Sequence, residues 1–326
     1  MSAAGFGARL LAWYDAHKRD LPWRDVADPW VTWVSEVMLQ QTRVEAVRQS
    51  FTRFLARYPD PRAFAAASDD ELLLAWRGLG YYRRARLLRD GARAVVERHG
   101  GRVPASPRAL AALPGVGAYT AAAIASIAFG QPVPAVDGNV ERVLARHRGI
   151  TANVKSGAGA RAVREAAAAL LVRARAGDFN QALMDLGATL CTAKAPRCAV
   201  CPVAEDCVAR RSGRQAELPV LPERRAPVDV RTRVALLRAA DGAVVVRRIG
   251  EREVNRGQLD LPGPGPLEGV PDAAALQAWL DGHLGAGSAR IDPEPACEVR
   301  HAITWHRIRV AVHVGTLRAR RVPAPF

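Results

Sequence analysis

The chain has 326 residues, with 47 Lys and Arg against 32 Asp and Glu, for a formal charge of +15. That excess points to polyanionic partners, nucleic acid first, and the length allows about two domains. The opening stretch MSAAGFGARLLAWYDAHKRD turns charged at once and no later run is long and apolar enough to span a bilayer. No secretory signal or membrane anchor is therefore expected, and a cytoplasmic, reduced protein is.

Residues 1–212 read as helix after helix, with strand signals nearly absent. Leu10, Leu11, Trp13, Tyr14 and His17 share one helical face; Val34, Val37, Met38, Gln41 and Val44 share a second; Leu72, Leu73, Ala75 and Trp76 share a third. Glu36 is the only carboxylate between Asp28 and Glu45, with Trp33, Leu39 and Gln40 one turn away. An acid in such company can have a raised pKa and act as a general acid; taken alone it reads as a solvated helix glutamate.

The run LPGVGAYTAAAIASIAFG, Leu113 to Gly130, follows a short helical stretch, SPRALAAL, and so reads as helix–hairpin–helix. Gly115 and Gly117 let the backbone approach a ligand, and the helix start offers unpaired N–H groups to a phosphate. In VPAVDGNVERVLARHRG, Asp137 sits where a helix N-cap is expected, and the helix start would hold its carboxylate ionised. REAAAALLVRARA adds helix propensity.

Cys191, Cys198, Cys201 and Cys207 follow as C-x6-C-x2-C-x5-C, all within 17 residues. In a reducing compartment such a cluster argues for a metal centre, either a [4Fe–4S] cluster or Zn2+. The single tight doublet and the compact loop favour the iron–sulfur cluster. Cys297 stands apart and reads as a small core residue.

RQAELPVLPERRAPVDV has the prolines and charges of an exposed linker, placed at residues 213–228. Beyond it, VRTRVALLRA, AVVVRRI and RIRVAVHVGTLRA read as strands and PDAAALQAWLDGHLG as a helix. Residues 229–326 are therefore expected to form a small α+β domain.

Taken together, LPWR, WVSEVMLQQT, GLGYYRRAR, AVDGNVERVLAR and the cysteine loop resemble the endonuclease III superfamily of DNA glycosylases, specifically its adenine DNA glycosylase (MutY) branch. The resemblance covers roughly residues 9–210. It implies a mainly helical helix–hairpin–helix glycosylase fold carrying a structural [4Fe–4S] cluster, with Lys194 and Arg197 in a basic loop against DNA. It also implies a monomer acting on double-stranded DNA with adenine opposite 8-oxoguanine or guanine, associated with the nucleoid.

On this resemblance Glu36 protonates N7 of the extruded adenine, and Asp137 stabilises the oxocarbenium ion that follows. Tyr119 and Asn139 orient the acid and Asp137. Leu21, Trp23, Arg24 and Asp185 line the adenine pocket, with Arg19 a weaker match. Gln41, Thr42, Leu79 and Tyr81 fill the gap or contact the opposite base. Lyase members of the superfamily carry a Lys where this chain has Tyr119, and a phenol cannot form their Schiff base.

The C-terminal part resembles the family's Nudix-like recognition domain loosely. It lacks the Glu-rich Nudix box, and LDLPG lacks a preceding tryptophan. HAITWH, His301 to His306, stands where the family has His-x-Phe-Ser-His, which places Thr304 against 8-oxoguanine. The alternative is a strand with Trp305 packed in the core. The family's pattern continues with a further helix beyond RARRVPAPF.

Overall fold

Caps and apolar spacing account for the helical course of the first two thirds of the chain. In a computed structural model, which describes residues 3–223, 225–250, 253, 257–318 and 324, twelve α-helices occur before residue 213 among those residues. They are α1 (Ala3–His17), α2 (Pro29–Leu39), α3 (Val44–Arg57), α4 (Pro61–Ala65), α5 (Asp69–Ala75), α6 (Arg83–His99), α7 (Pro107–Ala111), α8 (Ala118–Ile127), α9 (Gly138–Arg148), α10 (Gly157–Leu170), α11 (Ala176–Thr189) and α12 (Val208–Arg211). Asp28 starts α2 by accepting from Trp30 N and Val31 N, beside Pro29 in the first turn. Ser68 and Glu71 form a reciprocal capping box on α5. Caps of this kind contribute about 1 kcal/mol each.

Two apolar clusters result. One gathers Trp30, Trp33, Phe54, Phe64 and Trp76 from α2 to α6, and α7 and α8 close it through Leu110 and Ile124. Its rings meet edge to face, Trp30 on Trp33 at 5.7 Å and Phe54 on Phe64 at 4.9 Å between centroids. The other gathers Phe6, Leu10, Tyr14, Leu144, Phe179 and Leu186 from α1, α9 and α11. Among the described residues no helix is long and apolar enough to cross a membrane.

The chain divides into two units, Met1–Pro222 and Glu223–Phe326, and the division falls inside the stretch read as a linker. The first part of that stretch is held by the helical unit: Leu218 is buried, its carbonyl accepts from Arg146 Nε at 2.9 Å, and Val220 O accepts from Val154 N at 3.1 Å.

The second unit is α+β. Strand β1 (Val228–Arg238) lies parallel to β6 (His306–Leu317), with Val228 opposite His306 and Arg238 opposite Thr316. On the other side of β6 run β4 (Ala289–Ile291) and β5 (Cys297–Ile303), both antiparallel. A separate two-stranded ribbon pairs β2 (Arg247–Arg248) with β3 (Leu259–Asp260). Helix α13 (Ala273–Leu284) starts at its cap Asp272 and buries Leu276, Leu280 and Leu284 against Ala235, Leu237 and Ile291.

Four expectations are corrected. The apolar face from Val34 through Gln41 to Val44 is not one helix: α2 stops at Leu39, and Gln41 has a left-handed backbone, φ 56°. Among the described residues AVVVRRI yields the two residues of β2, paired with the equally short Leu259–Asp260, and an isolated bridge from Val244 to Arg238. Cys297 is exposed on β5, a strand that among the described residues pairs with β6 alone, and is not a core residue. Trp305 is not in the core either: it sits on the tight β5–β6 turn with Thr304 at φ 55°, is 43% exposed, and lies 4.9 Å beneath the Arg225 guanidinium. Of RARRVPAPF, where a further helix was expected to follow, all but Arg318 and Ala324 lies outside the described residues.

Candidate active site

Helix α2 is buried along nearly its whole length, so its one carboxylate has little water to meet. Glu36 is 8% exposed. Burial pushes its pKa from 4.5 up to about 7. The Tyr119 hydroxyl, donating to Glu36 Oε2 at 2.5 Å, pulls the other way; the charge of Asp137 raises it and that of Arg24 lowers it. Burial, then the nearby Glu36 and Asp137 charges, hold the Tyr119 phenol well above its usual 10, so it remains a donor at neutral pH.

Tyr119 reaches Glu36 because α8 begins at a tight turn. Gly115 has φ 74°, and a Cβ there would meet Leu87 Cβ at 2.6 Å, so this glycine serves both the turn and the close approach of α6. Gly117 precedes α8 with no side-chain cap, and a Cβ there would meet nothing within 4 Å. The first N–H groups of α8 are thus left for an outside acceptor.

Asp137 caps α9: Val140 N donates to Oδ1 and Asn139 Nδ2 to Oδ2, both at 2.8 Å. Asn139 Oδ1 accepts in turn from Arg142 Nη2 at 2.8 Å, while Arg142 Nε donates to Cys191 O at 2.8 Å. Gly187 permits this crossing of α9 and α11, since a Cβ there would lie 2.6 Å from Asn139 Cβ.

A cleft open to solvent lies between α2 and α11. Glu36 lines it together with the expected Leu21, Trp23, Arg24, Asp185 and Arg19. Asp185 is 1% exposed and spends its oxygens on two guanidiniums, Arg19 Nη2 at 2.6 Å and Arg24 Nη2 at 3.2 Å. It therefore fixes the two arginines in the cleft wall, the Arg24 side chain buried and that of Arg19 partly exposed. Gln181 and Met184 also line the cleft and were missed; their signal is the helical spacing of Gln181, Met184 and Asp185 along α11.

The loops at Gln41–Thr42 and Leu79–Tyr81 meet: Thr42 Oγ1 donates to Leu79 O at 3.3 Å. Gln41 and Tyr81 are exposed, whereas the Leu79 side chain is in the core and only its carbonyl takes part. Thr304 stands on the β5–β6 turn of the second unit, its hydroxyl exposed and bonded to Ile303 O at 2.7 Å.

Cys191, Cys198, Cys201 and Cys207 all line one cavity, walled also by Leu190 and Pro196. Among the described residues no group of three or more His, Cys, Asp or Glu is drawn together as a single-ion site. Arg146 braces the loop, donating to Cys191 Sγ at 3.4 Å and to Thr192 O at 2.7 Å. Lys194 and Arg197 are exposed on it. Arg142 and Arg146 went unnoticed because an arginine on a basic helix gives no sign of pointing inward.

Comparison with known proteins matches residues 34–171 to the model of the HhH-GPD superfamily of base excision DNA repair proteins, a span that includes Glu36, the hairpin and Asp137. The chain is 48% identical over 228 residues to a mouse adenine DNA glycosylase, a match covering 67% of this chain and 44% of the relative. To a Mycobacterium tuberculosis adenine DNA glycosylase it is 44% identical over 209 residues, covering 63% of this chain and 67% of the relative. Thus the chain spans less than half of the mouse relative's length. Among solved structures, a thermostable thymine-DNA glycosylase superposes with a TM-score of 0.60 at 31% identity, covering 64% of this chain and 97% of that one. On these matches the chain belongs to the helix–hairpin–helix superfamily of base excision DNA repair proteins, in its adenine DNA glycosylase family.

Proposed function

We propose that this protein is a monofunctional adenine DNA glycosylase, which hydrolyses the N-glycosidic bond of adenine opposite 8-oxoguanine or guanine in double-stranded DNA. The observation that carries the reading is a buried carboxyl with its pKa near 7 on the wall of an open cleft, within reach of a phenol donor. The names of the similar proteins support it.

In the proposed reaction the helix start of α8, at Gly115 and Gly117, holds a backbone phosphate. The adenine leaves the stack and enters the cleft beside Leu21, Trp23 and Arg24, with Arg24 held in place by Asp185. Protonated Glu36 gives its proton to N7. The bond from C1′ to N9 breaks, and its electron pair goes to the base. Asp137, an acceptor held by Val140 N and Asn139, stabilises the cation left at C1′. Water adds there and releases the proton that restores Glu36. Tyr119 orients Glu36 and offers no amine for a Schiff base, so strand cleavage is not part of the reaction.

Cys191, Cys198, Cys201 and Cys207 would hold a [4Fe–4S] cluster. The fit rests on four thiols lining a single cavity and on Arg146, a cation placed to bond a thiolate. The cluster's part is to shape the loop that presents Lys194 and Arg197 to phosphate. Residues 229–326 are proposed as a Nudix-like unit in which Thr304 contacts 8-oxoguanine, and residues 1–212 as the catalytic region. Monomeric action at the nucleoid belongs to the same reading.

Single-turnover excision on duplexes with adenine opposite 8-oxoguanine tests the assignment. Abasic product should form, and the strand should break only after added base; absence of excision, or a substantial borohydride-trapped adduct, would overturn it. Purified protein should carry about four irons per chain, and stoichiometric zinc after anaerobic preparation would overturn the cluster.

A further inference from the structure

Helix α2 ends at Leu39 although its apolar period continues, and a buried arginine accounts for the break. Arg84, on α6, is 3% exposed. Its Nη1 donates to Val37 O and Met38 O, each at 2.9 Å, and to Gln40 O. These are carbonyls that a helix end leaves unpaired, at the negative pole of its dipole. Its Nη2 donates to Thr42 Oγ1 at 2.9 Å, Leu79 O at 3.0 Å and Gly80 O at 3.2 Å. One planar fork thus ties together two loops more than thirty residues apart in the chain. The guanidinium also lies 5.6 Å from the Trp76 ring centroid and 5.4 Å from that of Tyr81. Burial lowers its pKa to about 10, which leaves it charged at neutral pH.

Each tied loop carries one exposed residue with a left-handed backbone, Gln41 at φ 56° and Tyr81 at φ 47°. That conformation is costly for residues other than glycine and persists where the surroundings over-determine it. Here the bonds from Arg84 flank Gln41, at Gln40 O and Thr42 Oγ1, and hold the carbonyls of the two residues before Tyr81, Leu79 and Gly80. Side chains that enter a base stack act best when already placed, because ordering them on binding costs affinity.

We infer that Arg84 is a positioning residue for the proposed reaction: it clasps residues 40–42 and 79–81 into one preformed wedge, on which extrusion of the base depends more than cleavage of its bond. The inference rests on the glycosylase reading for the identity of the reaction. The clasp itself is a property of the free protein. If Arg84 merely stabilised α2, its loss would weaken Glu36 chemistry equally on every substrate. A wedge role makes the loss depend on how firmly the adenine is held in the helix.

The test uses the full chain with Arg84→Met, which keeps bulk without donors, and Arg84→Lys, which keeps charge but cannot bridge both loops. Amide hydrogen exchange in the free protein should rise together at residues 40–42 and 79–81, with α8 and α9 unchanged. Excision from an adenine:guanine duplex should fall ~10-fold more than excision of adenine opposite an abasic site, which has no partner base to hold it. Unchanged exchange in the two loops, or equal losses on the two duplexes, would overturn the inference. If the parent excises neither substrate, the glycosylase reading fails, and the exchange experiment still decides whether the clasp exists. Should Arg84→Met not fold, Arg84→Lys carries both measurements.

Discussion

Two carboxylates near one cleft are treated in opposite ways by the helices that carry them. Glu36 sits in the middle of α2, where backbone donors are already used and the side chain is buried, so burial favours its neutral form. Asp137 sits at the N-cap of α9, just before its first residue, where backbone donors are still free, and accepts from Val140 N and Asn139 Nδ2. Both are ordinary acidic residues; their positions along a helix leave one carboxyl in a buried helix middle and give the other a backbone donor. Tyr119 and the Asp137 charge complete the pairing, since both act on Glu36.

The largest effect comes from breaking either half. Glu36→Gln should keep DNA binding and lower adenine excision by about two to four orders of magnitude, the usual worth of a placed general acid. Asp137→Asn should lower it by about two to three orders. Asparagine is as good an N-cap as aspartate, so α9 should hold and the melting temperature should change little. Single-turnover rates with melting curves on the same samples check both; excision within a few-fold of the parent would remove either residue from its role.

A smaller effect sharpens the comparison through pH. In the proposed mechanism excision needs Glu36 protonated, so the rate should be high on the acid side and fall as pH rises through about 7. The Asp137 charge raises the Glu36 pKa, so Asp137→Asn should move the remaining profile to lower pH. The Tyr119 bond lowers it, so Tyr119→Phe should move the profile higher. A profile flat from pH 6 to 8, or shifts of the opposite sign, would contradict this assignment.

Much of this site was legible because its signals are local. Asp137 stands directly before a helical run and caps it; the paired glycines at 115 and 117 precede α8; four cysteines within 17 residues line a common cavity. What could not be read depends on partners distant in the chain. The period through Val34, Val37, Gln41 and Val44 gives no sign that Arg84 takes up the carbonyls at the end of α2. Nor does spacing reveal that Arg142 and Arg146 turn inward to Cys191, or that Leu79 is buried and Tyr81 exposed. In the second unit, β5 has no alternation of burial, and Cys297 lies open where a small apolar residue suggested a core. Strand burial there follows from pairing through β6, which no local pattern encodes.

The smallest effect is on stability, and it separates the two carboxylates without any substrate. The native pKa of Glu36, about 7, lies above its ordinary value of 4.5. Between those values the unfolded chain has released a proton that the folded protein still holds. Stability from this group is therefore complete below pH 4.5 and is lost as pH rises through 7, after which it stays level. The loss is on the order of 3 kcal/mol, from roughly 1.4 kcal/mol for each pKa unit. Glu36→Gln cannot ionise, and its side-chain oxygen can still accept from Tyr119. Its melting temperature should therefore gain on that of the parent as pH rises from 5 to 7, and the gap should stay level from there to pH 8. Calorimetry across that range checks it. Parallel curves would mean that Glu36 ionises as readily in the folded protein as in the unfolded chain, and the contrast with Asp137 would then lose its basis in burial.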